Sequence, residues 1–198
     1  MRVVRLTRAE LPVDTAELAR FLVGKVVVRD LPDDRISGRI VETEAYLPRD
    51  AACHAYRGET PRNRSLFLEF GHAYVYVSYG IHRMLNVAGG ARGIGAGILI
   101  RAVEPLQGIE LMQARRGLER VTDLARGPGK LAQAMEITLG LDGLDLTREG
   151  PLWLGRIDRP TGSIGVSVRI GITKETDLPL RFFERGSPYV SGPKRLSV

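Results

Sequence analysis

Residues 36–46 read Ile-Ser-Gly-Arg-Ile-Val-Glu-Thr-Glu-Ala-Tyr. Ile40, Val41 and Thr43 are strand formers, so the run is predicted to be extended. Successive side chains of a strand point to opposite faces, which puts Glu42, Glu44 and Tyr46 on the same one. Two carboxylates and a phenol make a poor core. The plain reading is a solvated face with both carboxylates exposed and unpaired. The chemical reading is a site in which a carboxylate activates water or steadies a positive centre, as hydrolysis of a glycosidic bond requires.

Signals on either side of this strand settle the fold class. Asp14 and Glu17 mark a helix start, Leu18, Phe21 and Leu22 give its apolar stripe, and Gly24 closes it. Lys25–Arg29 reads as a strand, and Leu31-Pro-Asp-Asp34 as the turn into Ile36–Tyr46. Residues 47–65 are rich in Pro, Arg, Gly and Asn and are predicted to be a long, polar loop, of a length that is usually either functional or disordered. Further strands are expected at Ala73–Tyr79, Met84–Val87, Gly97–Val103, Ser163–Thr173 and Leu180–Arg185. Helices are expected at Pro105–Arg116, stopped by Gly117, and at Pro128–Ile137, entered through Arg126-Gly-Pro-Gly129. No repeat or linker interrupts the chain. This mixed order predicts a single α+β domain over residues 1–198, built on an antiparallel sheet rather than a βαβ array.

Composition narrows the partners. Lys and Arg number 29 against 23 Asp and Glu, for a net charge of +6 in 198 residues. Such a surplus favours a polyanion such as nucleic acid, or an anionic membrane surface. Cys53 is the only cysteine, so an internal disulfide is excluded and a reducing cytosol is expected. No stretch approaches the roughly 18 apolar residues that a membrane span needs. Metal-ligand spacing, a Walker motif, the zinc deaminase signature and a Gly-x-Ser-x-Gly elbow are all absent from the sequence. No metal or other cofactor is expected.

Two more segments carry chemistry. In Tyr74-Val-Tyr-Val-Ser-Tyr79-Gly80, Tyr74 and Tyr76 share a face, while Tyr79 stands just before a glycine and is placed to project from a turn. Such aromatics either pack in a core or sandwich a flat base, and one at a tip can wedge into a base stack. Arg62 and Arg64 in the long loop, Arg83 after Tyr79 and Arg101 at the end of Gly-Ile-Leu-Ile supply groups suited to phosphates. Lys130 lies at the entry to a helix whose free N–H groups suit the same ligand.

Together these segments resemble the alkyladenine (3-methyladenine) DNA glycosylase family over residues 14–191. The matching stretches are Arg39–Tyr46, Ala52-Cys-His54, Thr60-Pro-Arg-Asn-Arg64, Tyr74–Gly80, Met84-x-Asn86, Leu99–Pro105, Gly127–Lys130 and Leu180–Pro188. The resemblance implies one mixed domain with a curved antiparallel sheet and surrounding helices. It also implies a monofunctional hydrolase that flips an alkylated or deaminated purine out of duplex DNA. Glu44, rather than Glu42, matches the general base, and Arg101 a residue beside the water. Tyr46, His54 and Tyr76 match the walls that stack on the base, and Asn86 the group that crowds the 2-amino group of guanine. Ile170 and Gly171 match the pocket floor, with Ile170 in place of a smaller apolar residue, and Tyr79 the wedge. His82 and Arg83 stand where the human relative carries aromatics and are expected to touch DNA with Arg62, Arg64 and Lys130. A cytoplasmic, nucleoid-associated bacterial monomer is expected. From the residues alone, a non-catalytic lesion binder and a carbohydrate glycosidase remain alternatives.

Overall fold

A computed structural model describes residues 2–78 and 80–196 of the chain. Its strands are β1 (Val4–Arg5), β2 (Val26–Asp30), β3 (Arg35–Tyr46), β4 (Ala73–Ser78), β5 (His82–Ala88), β6 (Gly97–Gln107), β7 (Leu152–Arg156), β8 (Ile164–Ser167) and β9 (Arg181–Glu184). The α-helices are α1 (Thr15–Leu22), α2 (Ile109–Arg116), α3 (Val121–Leu124) and α4 (Pro128–Ala134). All nine strands belong to one open sheet in the order β1-β7-β2-β3-β6-β5-β4, with β9 also pairing β3 and β8 pairing β9. Every pairing is antiparallel. The α+β reading holds.

β3 is the hub. One edge pairs with β6 from Ser37 to Tyr46, while the other pairs with β2 up to Arg39 and with β9 from Glu42 to Glu44. Both faces of the strand are covered, and every residue from 36 to 45 is buried. The plain reading of a solvated face is therefore overturned: Glu42 and Glu44 are both fully buried.

Two complementary bulges organise the strand. Ile40 pairs with Val103 and Glu42 with Ala102, leaving Val41 as an extra residue on β3; Glu42 with Ala102 and Thr43 with Ile100 leave Arg101 extra on β6. The first bulge switches parity. Ile36 and Ile40 before it, and Ala45 after it, all join the main core with Leu18, Leu22 and Ile100. Thr43 follows them, donating its hydroxyl to Ala19 O of α1 at 2.8 Å. Glu42, Glu44 and Tyr46 are thereby turned to the opposite face.

Several boundaries differ from expectation. Asp14 caps α1 as predicted, its carboxylate accepting from Ala16 N and Glu17 N at 2.9 Å each. The helix predicted from Pro105 begins at Ile109, because β6 runs on to Gln107 and turns at Gly108, where φ is +72°. Pro105 is tolerated in the strand because β5 pairs with β6 only as far as Leu99 and the Ala102–Arg126 bridge stops short of it, so no strand faces Pro105 on that side. α4 ends at Ala134 rather than Ile137, with Glu136 in the left-handed region at φ 53°. Only Ile164–Ser167 of the predicted 163–173 strand pairs, and the rest turns into the site. Leu152–Arg156, absent from the expected strands, forms β7 between β1 and β2.

Candidate active site

The carboxylates face a buried ionic cluster. Glu42 Oε1 accepts from Arg101 Nε at 2.9 Å and Arg181 Nε at 2.7 Å, and its Oε2 accepts from Ser191 N at 2.6 Å. Arg101 reaches onward to Glu44, with Nη1 3.2 Å from Oε1. Glu44 Oε1 also accepts from Ile170 N at 2.7 Å, and Oε2 accepts from the Tyr46 hydroxyl at 3.0 Å. Burial pushes the Glu44 carboxyl above the usual glutamate value, although Arg101, the Ile170 N–H and the Tyr46 hydroxyl all draw it back. Burial opposes the charge on Arg101 as well, but Glu44 and Glu42 more than restore it. The Tyr46 phenol is raised by burial and by Glu44, so it stays protonated and donates.

A cavity of about 550 Å³ opens against this cluster. Tyr46, Arg101 and Ile170, which all bond Glu44, line the cavity together with His54, Tyr74 and Tyr76. Tyr74 and Tyr76 project from the same face of β4, their rings stacked at 5.3 Å and 24°. His54 meets Tyr76 edge-on at 4.5 Å and shares a 3.0 Å hydrogen bond with the Tyr74 hydroxyl through Nδ1. Burial, with Arg62 nearby, holds His54 below the usual imidazole value, so it is neutral at pH 7. The volume and the aromatic lining suit a flat heterocycle.

The matching family model, described as methylpurine-DNA glycosylase, covers residues 9–188. The chain belongs to the methylpurine-DNA glycosylase family. Membership makes it a hydrolase of N-glycosyl bonds in DNA repair. Its similar relatives are provisionally named 3-methyladenine DNA glycosylases. That of Mesorhizobium japonicum is 63% identical over 191 residues, covering 96% of this chain and 92% of the relative. That of Paraburkholderia phytofirmans is 52% identical over 196 residues, covering 99% and 92%. That of Methanoculleus marisnigri is 49% identical over 182 residues, covering 90% and 94%.

Against this glycosylase frame, the structure gathers Tyr46, His54, Arg62, Tyr76, Asn86, Arg101, Ile170 and Gly171 around one cavity. Glu44 stands directly behind its wall. Arg64, His82, Arg83 and Lys130 are exposed and lie outside the lining. Tyr79 lies outside the described residues.

Sequence reasoning missed the supports. Asn63 is 4% exposed and ties the long loop together: its Nδ2 donates to His54 O and Gly58 O at 2.8 and 3.0 Å, and its Oδ1 accepts from Thr60 N and Oγ1. Arg169 and Asp50 form a buried ion pair, with Arg169 also donating to Ala45 O at 3.0 Å. Arg181 and Ser191 complete the shell of Glu42. The available signal was charge in apolar company, as in Leu180-Arg-Phe-Phe. Lys174 also lines the cavity, though no lysine stands near Glu44 in sequence; its ammonium lies 6.0 Å from the exposed Tyr56 ring.

Proposed function

We propose that this chain is a monofunctional DNA glycosylase that extrudes a damaged purine into the aromatic cavity and hydrolyses its N-glycosyl bond with Glu44 as general base. The observation that carries this function is the placing of a buried, Arg-paired carboxylate behind a cavity walled by Tyr46, His54 and Tyr76. Its substrates are 3-methyladenine and 7-methylguanine, and hypoxanthine and ethenoadenine where the pocket admits them. Duplex DNA is the partner, a role that the +6 charge supports.

The chemistry follows from the site. A carboxylate offers about four acceptor positions, of which Ile170, Arg101 and Tyr46 occupy three, leaving one for water. As the bond from C1′ to the purine breaks, its electron pair leaves with the base and positive charge grows on the sugar. Glu44 offsets that charge and takes a proton from the attacking water, whose oxygen bonds to C1′. Arg101 opposes the effect of burial and favours the ionised form of Glu44. Alkylation, or protonation at N7, makes the purine able to leave. Extrusion costs a few kcal/mol of lost stacking and pairing, least for a damaged base. Stacking on the tyrosines returns roughly 1–3 kcal/mol per base.

Asn86 is assigned the exclusion of the guanine 2-amino group, with its Nδ2 held by Tyr74 O at 3.2 Å. Ile170 and Gly171 form the floor. Tyr79 fills the vacated stack, and Arg62, Arg64, His82, Arg83 and Lys130 grip the backbone. The whole chain works as one domain and as a monomer, in the bacterial cytoplasm with the nucleoid. Single-turnover base release from duplexes carrying 7-methylguanine or hypoxanthine, with Glu44→Gln beside the wild type, tests this. Wild-type release with binding but no release by the variant is expected, with no borohydride-trapped complex through Lys174. Tight wild-type binding without release from either duplex would refute it in favour of a lesion binder.

A further inference from the structure

Arg169 has no place in the mechanism above, yet it sits against the ring that would hold the base. Its guanidinium carbon lies 4.7 Å from the Tyr46 ring centroid. Arg169 is 4% exposed and absent from the cavity wall, whereas Tyr46 lines the cavity and is partly exposed. The cation therefore covers the inner face of the ring, and the outer face is the one open to a ligand. Three anchors hold it there: the Asp50 carboxylate, Ala45 O at 3.0 Å and Glu175 O at 3.3 Å. Asp50 is itself fixed by a 2.8 Å hydrogen bond from Ala52 N.

An aromatic ring attracts a cation through the negative charge on its two faces. When a cation already occupies one face, a second on the other face meets a ring whose electrons are drawn away, and a like charge across the ring that the paired Asp50 carboxylate reduces. A neutral base stacked on the outer face loses much less, because its stacking rests on dispersion and area. Purine lesions fall into both classes: alkylation at N7 or N3 leaves a positively charged base, whereas deamination of adenine leaves a neutral one.

Resting on the glycosylase function proposed above, the geometry points to Arg169 as a specificity-determining residue that biases the pocket against formally cationic lesions and toward neutral ones. It acts through Tyr46 without touching the substrate. Its electrostatic influence on the stacked base is separable from its structural role, because a structural loss would weaken all lesions alike.

The test compares equilibrium binding of two duplexes identical except for the lesion. One carries 7-methylguanine and the other hypoxanthine, each on a 2′-fluoro sugar that resists cleavage. The variants are Arg169→Met combined with Asp50→Asn, which removes the buried pair together, and Arg169→Lys, which keeps the charge. The double variant should move the affinity ratio toward the cationic lesion by roughly 3- to 10-fold, the range of a partly desolvated cation–π contact. Arg169→Lys should keep the wild-type ratio. Because each variant is compared on both duplexes, extrusion costs common to the two cancel. Equal weakening on both duplexes, an unchanged ratio or a shift toward hypoxanthine would overturn the assignment. If Arg169→Lys moves the ratio as far as the double variant does, charge is not the cause and the assignment also falls. Wild type that fails to release either base from ordinary duplexes refutes the glycosylase function itself, a result that these binding ratios do not mimic.

Discussion

Replacing Glu42 with glutamine preserves the shape of the side chain and removes one charge from a balanced cluster. Glu42 and Glu44 supply two negative charges, and Arg101 and Arg181 two positive ones. All four side chains are at most 8% exposed. Glu42→Gln therefore leaves a net buried cation. The amide cannot satisfy its surroundings in either orientation: both guanidinium Nε–H groups point at one oxygen and the Ser191 N–H at the other, and all are donors. Removing one partner of a buried pair costs about 3–5 kcal/mol. For a chain of this size about 2–4 °C is lost per kcal/mol, so the melting temperature should fall by roughly 6–20 °C. Glu44→Gln differs. The Tyr46 hydroxyl can rotate from donor to acceptor and meet the new amide N–H, while the amide oxygen still accepts from Ile170. Burial already disfavours the Glu44 charge, so its removal should cost less stability than that of Glu42. Thermal unfolding followed by circular dichroism compares the two variants directly. The sequence suggests that Glu42→Gln should affect base release much less than Glu44→Gln. The structure adds that Glu42 anchors Arg101, so a partial loss of release should accompany the destabilisation. A Glu42→Gln protein melting within about 2 °C of wild type would refute the view of this cluster as a charge-balanced anchor.

Three further outcomes are expected. Because burial raises the Glu44 pKa, the base is lost to protonation at higher pH than an ordinary glutamate: release of 7-methylguanine should decline on the acid side with a midpoint above 4.5, and Arg101→Met should move that midpoint up again. A midpoint at or below 4.5, or a downward move in the variant, would count against Glu44 as the base. Asn63→Ala removes the bonds that hold the loop carrying His54, at about 1–3 kcal/mol. It should speed protease cleavage within residues 47–63 and weaken lesion binding before it affects the chemical step, as a binding titration and single-turnover rates can separate. Burial pushes the Cys53 thiol up to about 11, so a disulfide reagent at pH 8 should react slowly with folded protein and quickly in denaturant. Equal rates in both would contradict the burial of the loop.

Local signals carried much of the fold. Asp14 before Leu18 and Leu22 specifies a capped amphipathic helix, and Val26–Val28 and the β-branched Ile40, Val41 and Thr43 specify strands, because both follow from short-range periodicity. The carboxylate pair was legible as unusual for the same reason: Glu42, Glu44 and Tyr46 alternate with nothing apolar between them on that face. Their surroundings were not legible. Alternation alone extends that face back to Ile40 and Ile36, and only the bulge at Val41 lets those residues enter the core while Glu42 turns the other way. A bulge is fixed by the pairing partner, here β6 with its own extra residue at Arg101, some 60 residues further along the chain.

The amino-acid sequence by itself determined the kind of strand, the helix start, the family and the residue types able to hydrolyse an N-glycosyl bond, since each is written in neighbouring residues or in ordered segments. Only the tertiary structure decided that the carboxylate face is sealed rather than solvated. The same holds for Glu42 as anchor while Glu44 backs the cavity, and for a cation behind Tyr46. Those assignments depend on which groups meet across long separations, with Arg181 and Ser191 reaching Glu42 from the far end of the chain. In a low-dielectric interior the identity of such neighbours, more than the residue itself, sets whether a carboxylate is a base, a brace or a surface charge.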